Sequence, residues 1–210
     1  MKARFITFEG VEGAGKSTQV ETIAACLTQK KIPFLITREP GGTALSESIR
    51  DLLITPSDQA MAINTELLLV FAARAQHLEE VILPALHQGT WVICDRFTDA
   101  TYAYQGGGRQ LPMATIATLE RLVQQGLQPD LTLLFDIPVQ QGLARAAKRA
   151  ALDRFEQQEI DFFERVRSVY LARQQQDPDR FCLIDGSQDL AAVTDNVNQQ
   201  FVSILETWLR

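Results

Sequence analysis

The hydrophobic pattern of this chain alternates between short continuous apolar runs and longer segments with apolar residues at three- and four-residue spacing. Continuous runs of this length are typical of strands buried on both faces, as in parallel sheets. The predicted strands are 4–9, 34–37, 91–95, 131–136 and 181–185. Because these strands alternate with helical segments, the pattern predicts a doubly wound α/β fold.

The predicted helices differ in the strength of their pattern. Residues 64–87 form the longest, with apolar positions at helical spacing through most of the segment. Weaker helical patterns cover residues 17–30, 113–125, 157–176 and 189–209. Residues 139–156 are rich in Arg, Ala and Lys with little apolar face, which fits either a solvated surface helix or a mobile lid. No repeat or linker interrupts the pattern, so we predict one domain spanning 1–210.

Composition narrows the class of protein. A length of 210 residues with 46% hydrophobic content is ordinary for a soluble globular domain. No apolar run reaches the ~18 residues of a membrane span, and the first residues enter a strand-like run directly, so we expect no signal peptide and a cytoplasmic location. The net charge of −6 argues against general nucleic-acid binding. Three widely separated cysteines, Cys26, Cys94 and Cys182, indicate buried thiols in a reducing compartment.

The ends of the predicted strands carry the candidate chemistry, because ligands of such sheets bind outside the carboxyl ends of the strands. Polar residues at strand ends are expected of any α/β protein, but their identities here are specific. The residues at these ends are Glu9–Gly10, Thr37–Glu39, Asp95–Arg96, Asp136 and Asp185–Gly186.

Residues 10–17, GVEGAGKS, fit the phosphate-binding pattern G-x-x-x-x-G-K-[ST] between a predicted strand and a predicted helix. The glycines let backbone N–H groups converge on phosphate oxygens at a helix N-terminus. Lys16 should reach the β- and γ-phosphates, and the Ser17 hydroxyl should bind Mg²⁺. The predicted ATP-binding residues of this loop are Gly10, Val11, Glu12, Gly13, Ala14, Gly15, Lys16, Ser17 and Thr18.

A phosphate loop indicates a nucleoside triphosphate but not its use. A GTPase needs an Asn-Lys-x-Asp motif, which this sequence lacks, and motor ATPases are usually larger. A small-molecule kinase needs arginines at its acceptor and in a lid that excludes water. Both sets have candidates: Arg38, Arg50, Arg74 and Arg96 for the acceptor, and Arg145, Arg149 and Arg154 for the lid.

Several longer stretches resemble one family. They are FEGVEGAGKST (8–18), TREPGGT (37–43), FAARAQHL (71–78), DRFTDATYAYQGGGR (95–109), PDLTLLFD (129–136) and LDRFE (152–156). In this order the chain resembles the bacterial thymidylate kinases over essentially its whole length. The resemblance implies transfer of the γ-phosphoryl group of Mg-ATP to dTMP, giving dTDP for dTTP synthesis. It also implies a five-stranded parallel sheet in the order 2-3-1-4-5, an arginine-bearing lid at about 139–156 and a homodimer.

The resemblance also implies roles around the loop. Glu12 would accept a hydrogen bond from the 3′-hydroxyl of the acceptor sugar, and Glu9 would be an outer-shell metal residue or the partner of an arginine. Gly13 stands where many relatives carry an arginine, so the transition-state arginine should come from the lid. There, Arg149 would clamp the phosphoryl group, and Arg145 would bind the ATP end. The implied catalytic residues are Glu12, Lys16, Asp95, Arg96 and Arg149.

The metal ligands are expected to be Ser17 and a strand-end carboxylate. Asp95 and Asp136 both end strands beside the phosphate loop, and the resemblance favours Asp95. Arg96 should bind the acceptor phosphate through both guanidinium nitrogens, with Arg50 and Arg38 close by.

The base-binding end departs from the family pattern. Val70 occupies the place of the family's thymine-stacking aromatic residue, four positions before Arg74, and we expect the next residue, Phe71, to stack instead. Arg74, Thr101 and Gln105 should contact the thymine edge, and Tyr104 the sugar 2′ carbon. The predicted dTMP-binding residues are Glu12, Arg38, Glu39, Pro40, Arg50, Phe71, Arg74, Arg96, Thr101, Tyr104 and Gln105.

Two other functions stay open from the sequence. A related phosphate-loop kinase could act on a deoxynucleoside or on another monophosphate. A non-enzymatic module could bind nucleotide and switch without turnover, in which case a lid arginine and a closed acceptor site would be unnecessary.

Overall fold

The computed structural model describes residues 2–148 and 153–209. They form a sheet of five parallel strands in the order β2-β3-β1-β4-β5. The strands are β1 (Phe5–Glu9), β2 (Phe34–Arg38), β3 (Trp91–Asp95), β4 (Leu131–Asp136) and β5 (Phe181–Asp185). The predicted strands and the strand order are thus confirmed.

Helices connect the strands. They are α1 (Lys16–Gln29), α2 (Ala44–Ile54), α3 (Ile63–His77), α4 (Leu83–His87), α5 (Thr98–Thr101), α6 (Met113–Gln124), α7 (Val139–Ala146), α8 (Ile160–Gln176) and α9 (Leu190–Leu209). A π-helical turn, Leu78–Ile82, joins α3 to α4, and a second π-helical segment, Tyr102–Gly108, follows α5. The predicted helix 64–87 is therefore one continuous helical stretch.

Two helical stretches lie outside the predicted helices, α2 and the run from α5 through Gly108. α2 buries only Ser46 and Leu53, and Thr43 caps it by accepting a hydrogen bond from the Ser46 N–H. The second stretch ends in consecutive glycines, which are poor helix formers. A Cβ at Gly108 would lie 2.3 Å from the Phe162 ring and one at Gly107 would lie 2.9 Å from the Arg165 carbonyl oxygen, so these two glycines allow close packing against α8.

The central strand β1 is buried on both faces. Its side chains alternate between two core clusters, with Ile6 packed among residues of α1 and α9 and Phe5 packed against Val92 and Ile82. Each such side chain contributes about 1.5–3 kcal/mol on burial. The packing fixes the carboxyl end of β1 between those of β3 and β4, where the phosphate loop begins.

The structure also bears on the membrane prediction. Within the described residues, we find no helix of sufficient length and apolarity to span a bilayer.

Candidate active site

The phosphate loop leaves β1 at Glu9 and enters α1 at Lys16. Gly13 has a φ of 71°, and a Cβ there would lie 1.9 Å from the carbonyl oxygen of Gly142 in α7. Gly15, with a φ of 89°, caps the helix, and such left-handed conformations favour glycine. The loop therefore brings backbone N–H groups to the N-terminus of α1, as anion binding requires.

Lys16 is the buried cation of this loop. Its Nζ donates hydrogen bonds to the carbonyl oxygens of Gly10, at 3.0 Å, and Val11, at 3.1 Å. Burial lowers the pKa of Lys16, and the nearby charge of Arg96 lowers it further. The side chain of Val11 lies in the core, so this residue contributes backbone to the loop.

Arg96 joins the phosphate loop to the end of β3. Its Nη1 donates to the Gly10 carbonyl oxygen at 3.0 Å, and its Nη2 donates to Glu12 Oε1 at 2.6 Å. Tyr104 donates its hydroxyl proton to the same Glu12 oxygen at 2.8 Å, and its ring centre lies 4.8 Å from the guanidinium carbon of Arg96. Arg96 has a φ of 68°, an uncommon conformation for a side-chain-bearing residue.

Glu9 stabilises the turn at Arg96 by accepting hydrogen bonds from neighbouring residues. Its Oε1 accepts a hydrogen bond from the Phe97 N–H at 2.7 Å, and its Oε2 accepts one from the Tyr170 hydroxyl at 2.7 Å. Arg96 donates to the same hydroxyl at 3.2 Å, so Glu9 reaches this arginine through Tyr170. Burial raises the pKa of Glu9 to about 7, and the carboxylate of Asp99 adds to the rise.

The two strand-end aspartates have different surroundings. Both oxygens of Asp136 accept hydrogen bonds from Arg167, at 2.6 and 2.9 Å. Asp95 Oδ1 is buried and has no hydrogen-bond partner among residues 2–148 and 153–209. Ser17 is exposed at the start of α1 and lines the same cavity as Asp95. This geometry favours Asp95 over Asp136 as a cation ligand.

A cavity of about 350 Å³ opens beside the loop, and we call it the arginine cavity. Its wall contains most of the residues predicted to bind dTMP, together with the predicted phosphate and metal ligands Lys16, Ser17 and Asp95. Those in its wall are Glu12, Lys16, Ser17, Glu39, Pro40, Arg50, Arg74, Asp95, Arg96, Thr101, Tyr104 and Gln105. The wall also contains side chains that were not predicted, among them Ile54, Val70, Phe97, Asp153, Phe155 and Glu156.

Arg74 dominates one end of the arginine cavity. Its guanidinium lies between the rings of Phe71 and Phe97, 4.9 Å from each ring centre. Nε donates to Glu39 at 2.7 Å and Nη2 donates to the Thr101 hydroxyl oxygen at 2.9 Å. Within the described residues Nη1 has no hydrogen-bond partner, although it is buried. A buried donor left in this way can bind a carbonyl oxygen of a ligand.

Phe71 does not lie where a stacking residue must. Its ring is 3% exposed and packs in a cluster with Leu67, Tyr102 and Ile116, whereas Val70 lines the arginine cavity. Successive helical residues differ by about 100° in direction, so the neighbour of Val70 turns into the core. The expectation that Phe71 stacks on the base is therefore corrected, and its ring instead supports Arg74.

Arg50 and Arg38 are both predicted to bind the acceptor phosphate, but of the two only Arg50 lines the arginine cavity. Arg50 lines it and donates to the Pro40 carbonyl oxygen at 2.9 Å. Burial lowers the pKa of Arg50, and the charges of Arg38 and Arg96 add to this effect. Arg38 itself is half exposed, pairs with Glu47 at 2.8 Å and does not line the cavity.

A second cavity, of about 370 Å³, lies on the other side of the phosphate loop against α9, and we call it the α9 cavity. Its wall includes Gly13, Ala14, Gly15, Ser17, Thr18, Gln19, Arg145, Gly186, Gln188, Asp189, Leu190 and Val193. Arg145 donates to the carbonyl oxygens of Gly186, at 2.7 Å, and Ser187, at 3.1 Å. These bonds hold the arginine at the rim of the cavity.

The other two predicted lid arginines are Arg149 and Arg154. Arg149, the predicted phosphoryl clamp, lies outside the described residues. Arg154 donates to Glu66 at 2.8 Å and to the Leu53 carbonyl oxygen at 2.5 Å, so its pairing is intramolecular.

Comparisons with known proteins agree on one family. A family model described as thymidylate kinase matches residues 8–197. The chain is 59% identical over 206 residues to a protein named thymidylate kinase from Pseudomonas putida (strain GB-1), covering 98% of each chain. It is 57% identical to one of the same name from Alcanivorax borkumensis, covering 98% of this chain and 97% of the relative. A crystal structure of thymidylate kinase from Ehrlichia chaffeensis superposes with a TM-score of 0.77 at 32% identity, over 98% of this chain and 99% of that chain.

Proposed function

The chain belongs to the thymidylate kinase family, so it phosphorylates dTMP to dTDP with ATP, and we propose that the two cavities beside its phosphate loop bind these two substrates. One observation carries the assignment of sites. Ser17 and the backbone of the loop line both cavities, so a phosphoryl group held by the loop faces each of them. Positioning and charge stabilisation are the main contributions a protein makes to phosphoryl transfer.

The α9 cavity is the ATP site. The loop from Gly10 to Thr18 surrounds the phosphates with N–H groups, and the dipole of α1 adds positive potential. Lys16 is close enough to exchange its carbonyl partners for the β- and γ-phosphate oxygens. Arg145 stands at the rim, where it can contact the nucleoside end.

The arginine cavity is the dTMP site. Arg96 and Arg50 bind the acceptor phosphate, whose negative charge would offset the burial and the neighbouring positive charges that lower the pKa of Arg50. At the opposite end, Arg74 Nη1 donates to a thymine carbonyl oxygen, with Thr101 and Gln105 beside it. Glu12 and Tyr104 lie between the two ends, at the level of the sugar.

Mg²⁺ fits the residues between the cavities. Asp95 Oδ1 is a buried oxygen with no hydrogen-bond partner within the described ranges, and Ser17 offers a hydroxyl nearby. Mg²⁺ is usually held by one or two protein oxygens together with substrate phosphates. When bound, it neutralises charge on the transferring phosphoryl group.

The lid supplies the remaining positive charge in this proposal. Gly13 leaves the loop without an arginine, and Arg149 takes that role by resemblance to the family. The described parts of the lid support such a position, because Ala146 before it and Asp153 after it both line the arginine cavity.

A homodimer completes the proposal. Large apolar side chains are exposed on the adjacent helices α2 and α3, among them Leu45, Leu52, Ile63 and Leu68. Exposed apolar side chains on neighbouring helices are typical of subunit interfaces. Sedimentation at micromolar concentration should give twice the chain mass of 23.5 kDa, and a monomer alone would refute the dimer.

A cytoplasmic location agrees with the cysteines. Cys26, Cys94 and Cys182 all lie within the described residues and are free thiols. Thiols stay reduced in the cytosol, whereas secreted proteins commonly pair them. Cell fractionation tests this location directly.

An ADP-release assay across a panel of acceptors tests the function. Release should require dTMP and should be much weaker with thymidine, because the unphosphorylated nucleoside leaves Arg50 and Arg96 without their anion. Equal rates with thymidine would favour a deoxynucleoside kinase. Absence of ADP release with every acceptor would indicate a nucleotide-binding module that does not turn over.

A further inference from the structure

Glu66 is a buried carboxylate that the proposed reaction does not use. It lies on α3 and is 1% exposed. Carboxylates are almost never buried to this degree unless they are paired. Its Oε1 accepts from Gln105 Nε2 at 2.9 Å, its Oε2 accepts from Arg154 Nη1 at 2.8 Å, and Arg109 Nε lies 3.2 Å from both oxygens.

The three donors come from different parts of the site. Gln105 lines the arginine cavity at its base-binding end. Arg109 follows the π-helical segment, and Arg154 belongs to residues 153–158, which we call the lid return. Glu66 is therefore the point where α3, the base-binding end and the lid return meet.

The lid return closes a ring of hydrogen bonds around this point. Arg109 Nη1 donates to Gln158 Oε1 at 2.6 Å, and Gln158 Nε2 donates to the Arg154 carbonyl oxygen at 3.0 Å. The Arg154 N–H also donates to the Ile54 carbonyl oxygen at 3.0 Å, which ties the lid return to the end of α2. With Glu66 in place, each arginine is held at more than one atom.

Phe155 connects these hydrogen-bonded arginines to the wall of the arginine cavity. The guanidinium carbon of Arg154 lies 4.5 Å from its ring centre, and that of Arg109 lies 5.8 Å away. The Phe155 ring meets Tyr104 edge to face at 5.9 Å and lines the arginine cavity. Its N–H donates to Asp153 Oδ1 at 2.8 Å, so the turn that carries the ring is itself fixed.

We propose that Glu66 is a positioning residue that joins the lid return to the base-binding end of the arginine cavity. Through Gln105 it orients a group at the acceptor base, and through Arg154 it holds Phe155 against the acceptor site. Assigning these groups to dTMP rests on the proposed function.

The carboxylate form of the side chain is essential to this role. A carboxylate only accepts hydrogen bonds, and all its neighbours here are donors. In Glu66→Gln one oxygen becomes an NH₂ group, which must face an arginine N–H. The neutral amide offers one acceptor oxygen in place of two and carries no charge, so it holds Arg109 and Arg154 less strongly and weakens the contact between the lid return and α3.

Steady-state kinetics of Glu66→Gln test the proposal. The KM for dTMP should rise about 10-fold or more, as expected when a hydrogen bond to a charged group is lost. The KM for ATP should change less than about twofold, because neither Glu66 nor its partners line the α9 cavity. A variant that is merely less stable would lose active enzyme and lower kcat, with both KM values unchanged, and this result would overturn the proposal.

Asp130→Asn is the matched control. Asp130 also forms a partly buried ion pair, with Arg4 at 2.7 Å, and it accepts a hydrogen bond from the Phe5 N–H. These contacts lie at the amino ends of the strands, away from the phosphate loop. We expect lower thermal stability in this variant with both KM values unchanged. A rise in its KM for dTMP equal to that of Glu66→Gln would show that destabilisation alone produces the effect.

A double-mutant cycle with Arg154→Met locates the connection and serves if Glu66→Gln does not fold. Arg154 is partly exposed, so this variant should fold, and it should raise the KM for dTMP selectively. The double variant should lose much less than the product of the two single losses, as expected of groups in contact. Losses that multiply, or an Arg154→Met enzyme with unchanged KM for dTMP, would overturn the proposal. Failure of the native protein to phosphorylate dTMP would instead overturn the proposed function.

Discussion

In the proposed assignment of sites, the two sides of the phosphate loop bind similar anions with different chemical groups. The donor side uses mainly backbone from one continuous run, residues 10–18, and a single buried cation, Lys16. The acceptor side uses side chains from α2, α3, the end of β3, the π-helical segment and the lid return. Backbone binding suits the phosphates that all nucleoside triphosphates share, whereas side chains fixed from several directions can select one base and one sugar.

The two sides also differ in how their charges are held. Three acceptor-side arginines are paired with carboxylates: Arg74 with Glu39, Arg96 with Glu12 and Arg154 with Glu66. Removing one member of a buried pair costs about 3–5 kcal/mol, because the other charge loses its partner. Because these pairs hold the arginines in defined positions, we expect variants on the acceptor side to affect substrate selection more than the chemical step.

The largest effect is expected at the lid, which serves both sides. Arg149→Ala should lower kcat by roughly 10³-fold or more, in the range of arginines that stabilise phosphoryl transfer. Binding of dTMP should change little, as measured by titration without ATP. A loss seen only as weaker substrate affinity would make Arg149 a binding residue and remove the lid from the chemistry.

Lys16→Ala tests the junction of the two sides, because Lys16 belongs to the phosphate loop and also lines the arginine cavity. Loss of a preorganised charge at the phosphates should lower kcat by roughly 10²- to 10³-fold. The far end of the arginine cavity should keep its affinity for thymidine, and the melting temperature should stay close to the native value, because Lys16 acts on charge. Unchanged kcat with ATP and dTMP would contradict the role of the lysine.

This difference in construction also explains what the sequence could predict. The strands and the phosphate loop depend on neighbours along the chain, so the hydrophobic pattern and a spaced motif were enough. The choice between Val70 and Phe71 depends on the rotation of a helix, which the pattern does not define to within one residue. Glu66 could have been noticed as a lone charge on an apolar helix face, but its partners Arg109 and Arg154 are brought to it by tertiary folding.

A smaller effect, on the free energy of unfolding, is expected from Glu9, which contacts the turn at Arg96. Burial raises the pKa of Glu9 to about 7 from an ordinary value of 4.5. The stability associated with its protonated form is fully present below about pH 4.5 and is lost as the pH rises through 7, on the order of 3 kcal/mol. Glu9→Gln stays neutral and should lack this loss.

Chemical denaturation at several pH values between about 5 and 8 measures the difference. The free energy of unfolding of the native protein should fall relative to that of Glu9→Gln across this range. Parallel pH profiles for the two proteins would contradict the raised pKa. Agreement would show that burying the Glu9 carboxylate beside the Arg96 turn carries an electrostatic cost, as burial does for Lys16 in the phosphate loop.

Glu12 sharpens the comparison most directly, because it lies in the phosphate loop but faces the acceptor side. If it accepts the 3′-hydroxyl of dTMP, Glu12→Gln should lower kcat/KM for dTMP by roughly 10- to 100-fold, as for a hydrogen bond to a charged group. An acceptor without the 3′-hydroxyl should be poor with the native enzyme, because it leaves a carboxylate without that donor. The same analogue should lose far less in the variant.

Arg96 and Tyr104 also donate to Glu12, so a general disturbance of the site must be separated from recognition of the sugar. Tyr104→Phe provides this control, because it removes one donor to Glu12 and keeps the ring. We expect it to affect both acceptors equally, whereas Glu12→Gln should affect them unequally. Equal losses for both acceptors in Glu12→Gln would show that the carboxylate only holds Arg96, and recognition of the sugar would then belong entirely to side chains outside the phosphate loop.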